Sequence, residues 1–129
     1  MTEPLGRLTV VPRTGDERFR FAGQERGEDL VTFWRWASSD LVGNAMRGLL
    51  AEFIVGMAVD GVASRTREEW DAADLVTNDG KHIEVKSAAY LQSWAQERLS
   101  AISFGIQPTW GWDASTNERS AERRRQAHV

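Results

Sequence analysis

Residues 71 to 88 read DAADLVTNDGKHIEVKSA, two arms of alternating character around Asn78, Asp79 and Gly80. The length of that turn constrains the chain more than any other feature. In the second arm His82, Glu84 and Lys86 share one face and Ile83 and Val85 the other. In the first arm, which begins within EEWDAADLVT, Trp70, Ala72, Asp74 and Val76 share a face. If Asp79 and Gly80 form a two-residue turn, Asn78 pairs with Lys81 and Asp74 and Glu84 point to opposite faces. If Asn78, Asp79 and Gly80 form a three-residue loop with Gly80 left-handed, Thr77 pairs with Lys81. Val76 then faces His82, Asp74 faces Glu84 and Ala72 faces Lys86. Gly80 in last place favours the second register, although Asp-Gly also suits the first. The choice matters because opposed carboxylates repel, and a cluster of Asp74 and Glu84 needs a positive charge between them.

The rest of the chain sets the frame. With 129 residues, 41% of them hydrophobic and 27% charged, it reads as one folded domain, with a core over about 40–129 and a peripheral N-terminal segment over 1–30. No cysteine is present, which excludes disulfides, thiolate zinc sites and cysteine nucleophiles and fits the cytoplasm. The N-terminus lacks the pattern of a secretory signal, and the longest apolar stretch, LLAEFIVGMAV, is too short for a bilayer and carries Glu52, so no membrane role is expected. A net charge of −3 argues against coating nucleic acid by bulk charge. Any such affinity must be local.

The spacing of Leu41, Ala45, Leu49, Phe53 and Gly56 predicts a helix capped by Ser38, Ser39 or Asp40, running to about Val59 and stopped by Asp60 and Gly61. Glu52 lies beside its apolar stripe. ERFRFAG suggests one peripheral strand, and VASRTREE is open between an edge strand and a loop. AAYLQSWAQERLS suggests a second helix on Leu91, Trp94, Ala95 and Leu99, and ISFGIQPTWGWD a short strand entering a loop. Near the end, Arg119, Arg123, Arg124 and Arg125 outnumber Glu118 and Glu122. They are candidate phosphate contacts, or equally a solvated helix face or tail. Six tryptophans are present. Trp34, Trp36, Trp94, Trp110 and Trp112 offer faces for base stacking, but closing the rim of a small core is their commoner use.

A helix acid followed by an Asp, then Glu-x-Lys across a hairpin, resembles the PD-(D/E)xK, or restriction-endonuclease-like, nuclease superfamily over residues 40 to 100. The matching positions are Glu52, Asp74, Glu84 and Lys86. The resemblance implies an α/β fold with a central mixed β-sheet flanked by helices, and the last core strand would be missing or truncated, the chain being a fragment or borrowing that strand from a partner. It implies Mg²⁺ or Mn²⁺ held by Asp74 and Glu84 with the Val85 carbonyl, Glu52 adding a ligand or orienting water, and Lys86 assisting attack of water on a phosphodiester. Ser87 and Gln92 resemble auxiliary polar residues. Ala73 stands where many members carry proline. The expected activity is therefore that of a metal-dependent nuclease, with a DNA endonuclease the foremost form, acting as a homodimer. The alternative is a catalytically degenerate module of the same fold that binds nucleic acid or protein. Zinc deaminase and P-loop chemistry are excluded, since His82-Ile83-Glu84 has no cysteines to join it and Gly80-Lys81 no glycine-rich lead.

Overall fold

The helix bearing Glu52 forms where its apolar spacing puts it, but it starts later than expected. In the computed structural model, which describes residues 5–59, 65–113 and 115–129, α2 spans Asn44–Ala58. Asp40 does not cap this helix. Its Oδ1 accepts from Val42 N at 3.1 Å and Gly43 N at 2.9 Å, closing the turn ahead of it. The expected stop at Asp60 and Gly61 lies outside the described residues, as does the start of VASRTREE; its described remainder is neither helix nor strand. A shorter helix, α1 (Leu30–Ser38), precedes α2 and was not anticipated. The Asp29 side chain caps it by accepting from Thr32 N at 2.8 Å.

Three separate hairpins complete the architecture. β1 (Arg18–Phe21) pairs with β2 (Gln24–Asp29) through a turn in which Ala22 and Gly23 both have positive φ, as a type I′ hairpin turn requires. β3 (Leu75–Val76) pairs with β4 (His82–Ile83), and β5 (Thr109–Asp113) with β6 (Glu118–Arg124). All three sheets are two-stranded and antiparallel. The fold is thus mixed α and β, and the expected central mixed sheet is not found among the described residues. One cause is visible at β4: Val85 N donates to the Asp74 carboxylate at 2.7 Å and not to a backbone carbonyl, so the ladder stops after two residues.

The register itself is the one that a three-residue loop demands. Leu75 pairs with Ile83 and Val76 with His82, Thr77 N donates to Lys81 O at 2.9 Å, and Gly80 adopts φ +81°.

Other expectations are corrected. Residues 89–100 are not helical. Gln96 Oε1 accepts from Gln92 N at 2.7 Å, Gln92 Nε2 donates to Ala89 O at 3.0 Å, and Ser100 N reaches back to Tyr90 O at 2.9 Å. Side-chain amides thus take groups that a helical ladder would use. ISFGI forms no strand; the strand starts after Pro108, which lacks the N–H a ladder uses. The arginine-rich segment is neither helix face nor tail up to Arg124 but is β6.

The edge of β4 is not bare either. Glu84 N donates to Val129 O at 2.9 Å and Val129 N to His82 O at 3.2 Å, the bracket of a parallel pair, while His128 N reaches His82 O at 2.7 Å. His82 N in turn donates to His128 Nδ1 at 2.9 Å. Residues 128 and 129 therefore line this edge of β4.

No large core gathers these elements. Ala73 is the one buried hydrophobic side chain among the described residues, and Thr77 the one buried polar side chain. The chain exposes 10933 Å², against roughly 6,900 Å² for a compact protein of its mass. The tryptophans accordingly do not close a rim: Trp36 is 83% exposed. No described helix is long and apolar enough to cross a membrane.

Because a Cβ on Gly80 would meet nothing within 4 Å, any cost of Gly80→Ala is purely conformational. The substitution should destabilise the hairpin by about 1 kcal/mol, and Gly80→Asn by less, read as shifts in the urea midpoint.

Candidate active site

Asp74 leads into β3 and, by one further step of the observed register, stands across from Glu84, which follows β4. Its Oδ2 accepts from Val85 N, which ties the carboxylate to the extended segment after β4 that carries Glu84 and Lys86. Burial raises the Asp74 pKa above the usual aspartate range. The Val85 N–H opposes that rise, Glu52 and Glu84 add to it, and Lys86 offsets part of it. Glu52, Glu84 and Lys86, the other three residues singled out in the sequence, therefore all act on the Asp74 carboxylate.

They do not share one cavity. Glu52 and Asp74 line a cleft of about 520 Å³ with Arg65, Arg67 and Asp71. Glu84 and Lys86 line another, of about 420 Å³, with Arg125 and His128. Among the described residues no three His, Cys, Asp or Glu side chains converge closely enough to hold a metal ion. Each flanking acid instead has a cation of its own. Arg67 grips Glu52 with two bonds, Nε to Oε2 at 2.5 Å and Nη2 to Oε1 at 3.1 Å, and the Glu52 side chain is only 12% exposed. The bond raises the arginine's pKa, as do the nearby charges of Asp74 and Glu69. Lys86 Nζ is paired with Glu84, two residues back along the chain.

The two ion pairs differ in strength. The Lys86 and Glu84 side chains are 42% and 40% exposed, and pairs of that kind contribute under about 1 kcal/mol. The Arg67 pair is two-pronged and better shielded, which makes it the firmer of the two. Arg67 was not among the residues singled out by pattern. It lies 15 residues beyond Glu52 in a segment without regular structure, where periodicity carries no signal.

Of the auxiliary candidates, Gln92 is committed elsewhere. Its Nε2 donates to Ala89 O and Ser100 Oγ, and its Oε1 accepts from Arg47 Nη1 at 3.3 Å, which links residues 89–100 to α2. Ser87 is half-buried one residue past Lys86. The four arginines fall on or just after β6. Arg119 and Arg123 lie 4.4 Å and 5.5 Å from the centre of the Trp110 ring.

The raised pKa of Asp74 has a definite consequence for stability. The folded state holds the Asp74 proton more tightly than the unfolded chain does, so stability present below the unfolded pKa, about 3.9, is lost as pH rises through the raised folded value. Asp74→Asn keeps an oxygen for Val85 N and removes the charge. Its melting temperature should exceed that of the parent at pH 7, with the difference closing as pH falls towards 4. Arg67→Ala leaves the Glu52 charge without its partner and should lower stability at pH 7 by about 1–2 kcal/mol in urea denaturation.

No family model matches the chain, and no curated protein or solved structure shows significant similarity to it.

Proposed function

We propose that the chain is a metal-dependent nuclease that hydrolyses phosphodiester bonds, with DNA as substrate and Mg²⁺ or Mn²⁺ as the ion. The observation that carries the reading is Asp74, a half-buried carboxylate whose charge is disfavoured by burial and by Glu52 and Glu84 on either side. Such a group accommodates a compact cation, and oxygen donors suit a hard divalent one. Asp74 and Glu84 with the Val85 carbonyl would hold the ion, and Glu52 would add a ligand or orient water. When bound, a divalent ion activates water and offsets charge on a phosphoryl oxygen. The chain's own part is electrostatic. Lys86, held by a weak exposed pair, turns from Glu84 to a phosphate oxygen as charge builds there. Ser87 stands close enough in sequence to assist in placing that phosphate, and Arg119, Arg123, Arg124 and Arg125 hold the backbone of the substrate.

A second reading has its own support. Arg67 and Lys86 already neutralise Glu52 and Glu84, and no three acids converge among the described residues, as befits a module that binds nucleic acid or protein without cutting. Arg67 separates the two, because a metal site has to release Glu52 from it.

Plasmid DNA incubated with Mn²⁺, Mg²⁺ or EDTA tests the proposal. Cleavage should need the metal, and Lys86→Ala should slow it by about 10²–10³. Mn²⁺ should also raise the melting temperature, since an ion that binds only the folded state stabilises it. Glu84→Gln should lose that response. Metal-indifferent melting together with intact DNA would leave the second reading standing. A cytoplasmic homodimer belongs to the same proposal. Light scattering should return twice 14.5 kDa.

A further inference from the structure

The β5 and β6 hairpin combines aromatic rings with guanidinium groups along one element. Trp110 pairs with Arg123 and Trp112 with Arg119, and both arginines approach the Trp110 ring. The rings remain accessible, Trp110 at 39% and Trp112 at 41%. Arg7, Arg20 and Arg67 form ion pairs, whereas Arg119, Arg123, Arg124 and Arg125 form none with a described residue. The hairpin is also polar along its length. Asp113 and Glu118 face each other at the loop end, Glu122 lies between, and Arg123, Arg124 and Arg125 stand at the open end. Asp113 is turned to its own loop by Ser115 N at 2.8 Å and Ser115 Oγ at 2.6 Å.

Two clefts adjoin at Gln126, and the first extends from there to Asp113 and Glu118 at the loop end. Trp112, Arg119 and Arg124 line one with Arg7 and Trp70, Arg125 lines the other with Glu84 and Lys86, and Gln126 borders both. We infer that this hairpin is a binding platform for single-stranded nucleic acid, its arginines holding phosphates and Trp112 and Trp110 stacking bases, with the strand leading past Arg125 towards Glu84 and Lys86. Rings beside arginines suit a strand whose bases are unpaired, because a duplex presents phosphates but hides its base faces. The inference rests on the nucleic-acid part of the proposed function but not on its chemistry.

Binding is therefore measured in EDTA, where hydrolysis is absent and a failure of the nuclease reading leaves the result untouched. Fluorescence anisotropy with short labelled oligothymidine, oligouridine and a duplex of equal length should show either single strand bound at least about tenfold tighter than the duplex, with quenching of tryptophan emission. Trp112→Leu should weaken strand binding about tenfold with the salt dependence unchanged. Arg124→Gln combined with Arg125→Gln, both exposed and outside the Trp110 contacts, should lower the slope of log K against log salt by about 1–2. Equal affinity for duplex, or an unchanged salt slope in the double variant, overturns the inference. So does displacement of the strand by polyglutamate without recovery of tryptophan emission, which assigns the face to an acidic polypeptide.

Discussion

The loop closed by Gly80 in a left-handed conformation is the constraint on which the candidate site depends. With three residues in the turn, Val76 meets His82, and the next step outward brings Asp74 to the segment after β4 that carries Glu84 and Lys86. A two-residue turn would have sent the same carboxylate to the other side of the hairpin. The ladder then yields to the site. The amide of Val85, which could have extended the sheet, binds the Asp74 carboxylate, so the hairpin is short because a charged side chain has replaced a backbone acceptor.

Electrostatics, more than packing, organises what surrounds Asp74. Glu52 on α2 is held by Arg67, Glu84 by Lys86, and Asp74 by the Val85 N–H, which together with the charge of Lys86 does not outweigh its burial and its acidic neighbours. In the proposed nuclease, a metal ion or a phosphate-bearing ligand would take the place of one of the two cationic side chains in this acidic cluster. That exchange is the physical basis of the proposed nuclease. It is equally what a binding module would have given up if Arg67 stays in place.

The exposed surface bears on the same question. Six tryptophans and a large apolar area remain open to solvent, and the well-paired elements are local hairpins, each made from neighbouring strands. Specific bonds between distant segments include residues 126–129 against β4, Arg7 against Glu68 and Asp71, Gln92 against Arg47, and Arg67 against Glu52. A fold tied in this way offers several faces on which a ligand can add contacts. On the β5 and β6 hairpin those faces are paired with positive charge.

Local chemistry was what the sequence by itself determined. The apolar spacing of α2, the preference of Gly80 for a left-handed turn and the alternation around NDG follow from residues within a few positions of one another, whereas the register that brings Asp74 to Glu84 was one of two the turn allowed and was decided by the fold. Interactions distant along the chain were decided only by the tertiary structure. Residues 89–100 have helical spacing but lose their backbone groups to Gln92 and Gln96, and the arginine-rich segment became a strand because residues 109–113 pair with it. The docking of Val129 on Glu84, and of Arg67 on Glu52, joins positions whose relation has no periodicity to read. Pattern can say which residues carry charge and which face they share on one element. Which opposite charge each one meets depends on how the chain returns on itself, and that was settled by hydrogen bonds and ion pairs between distant segments.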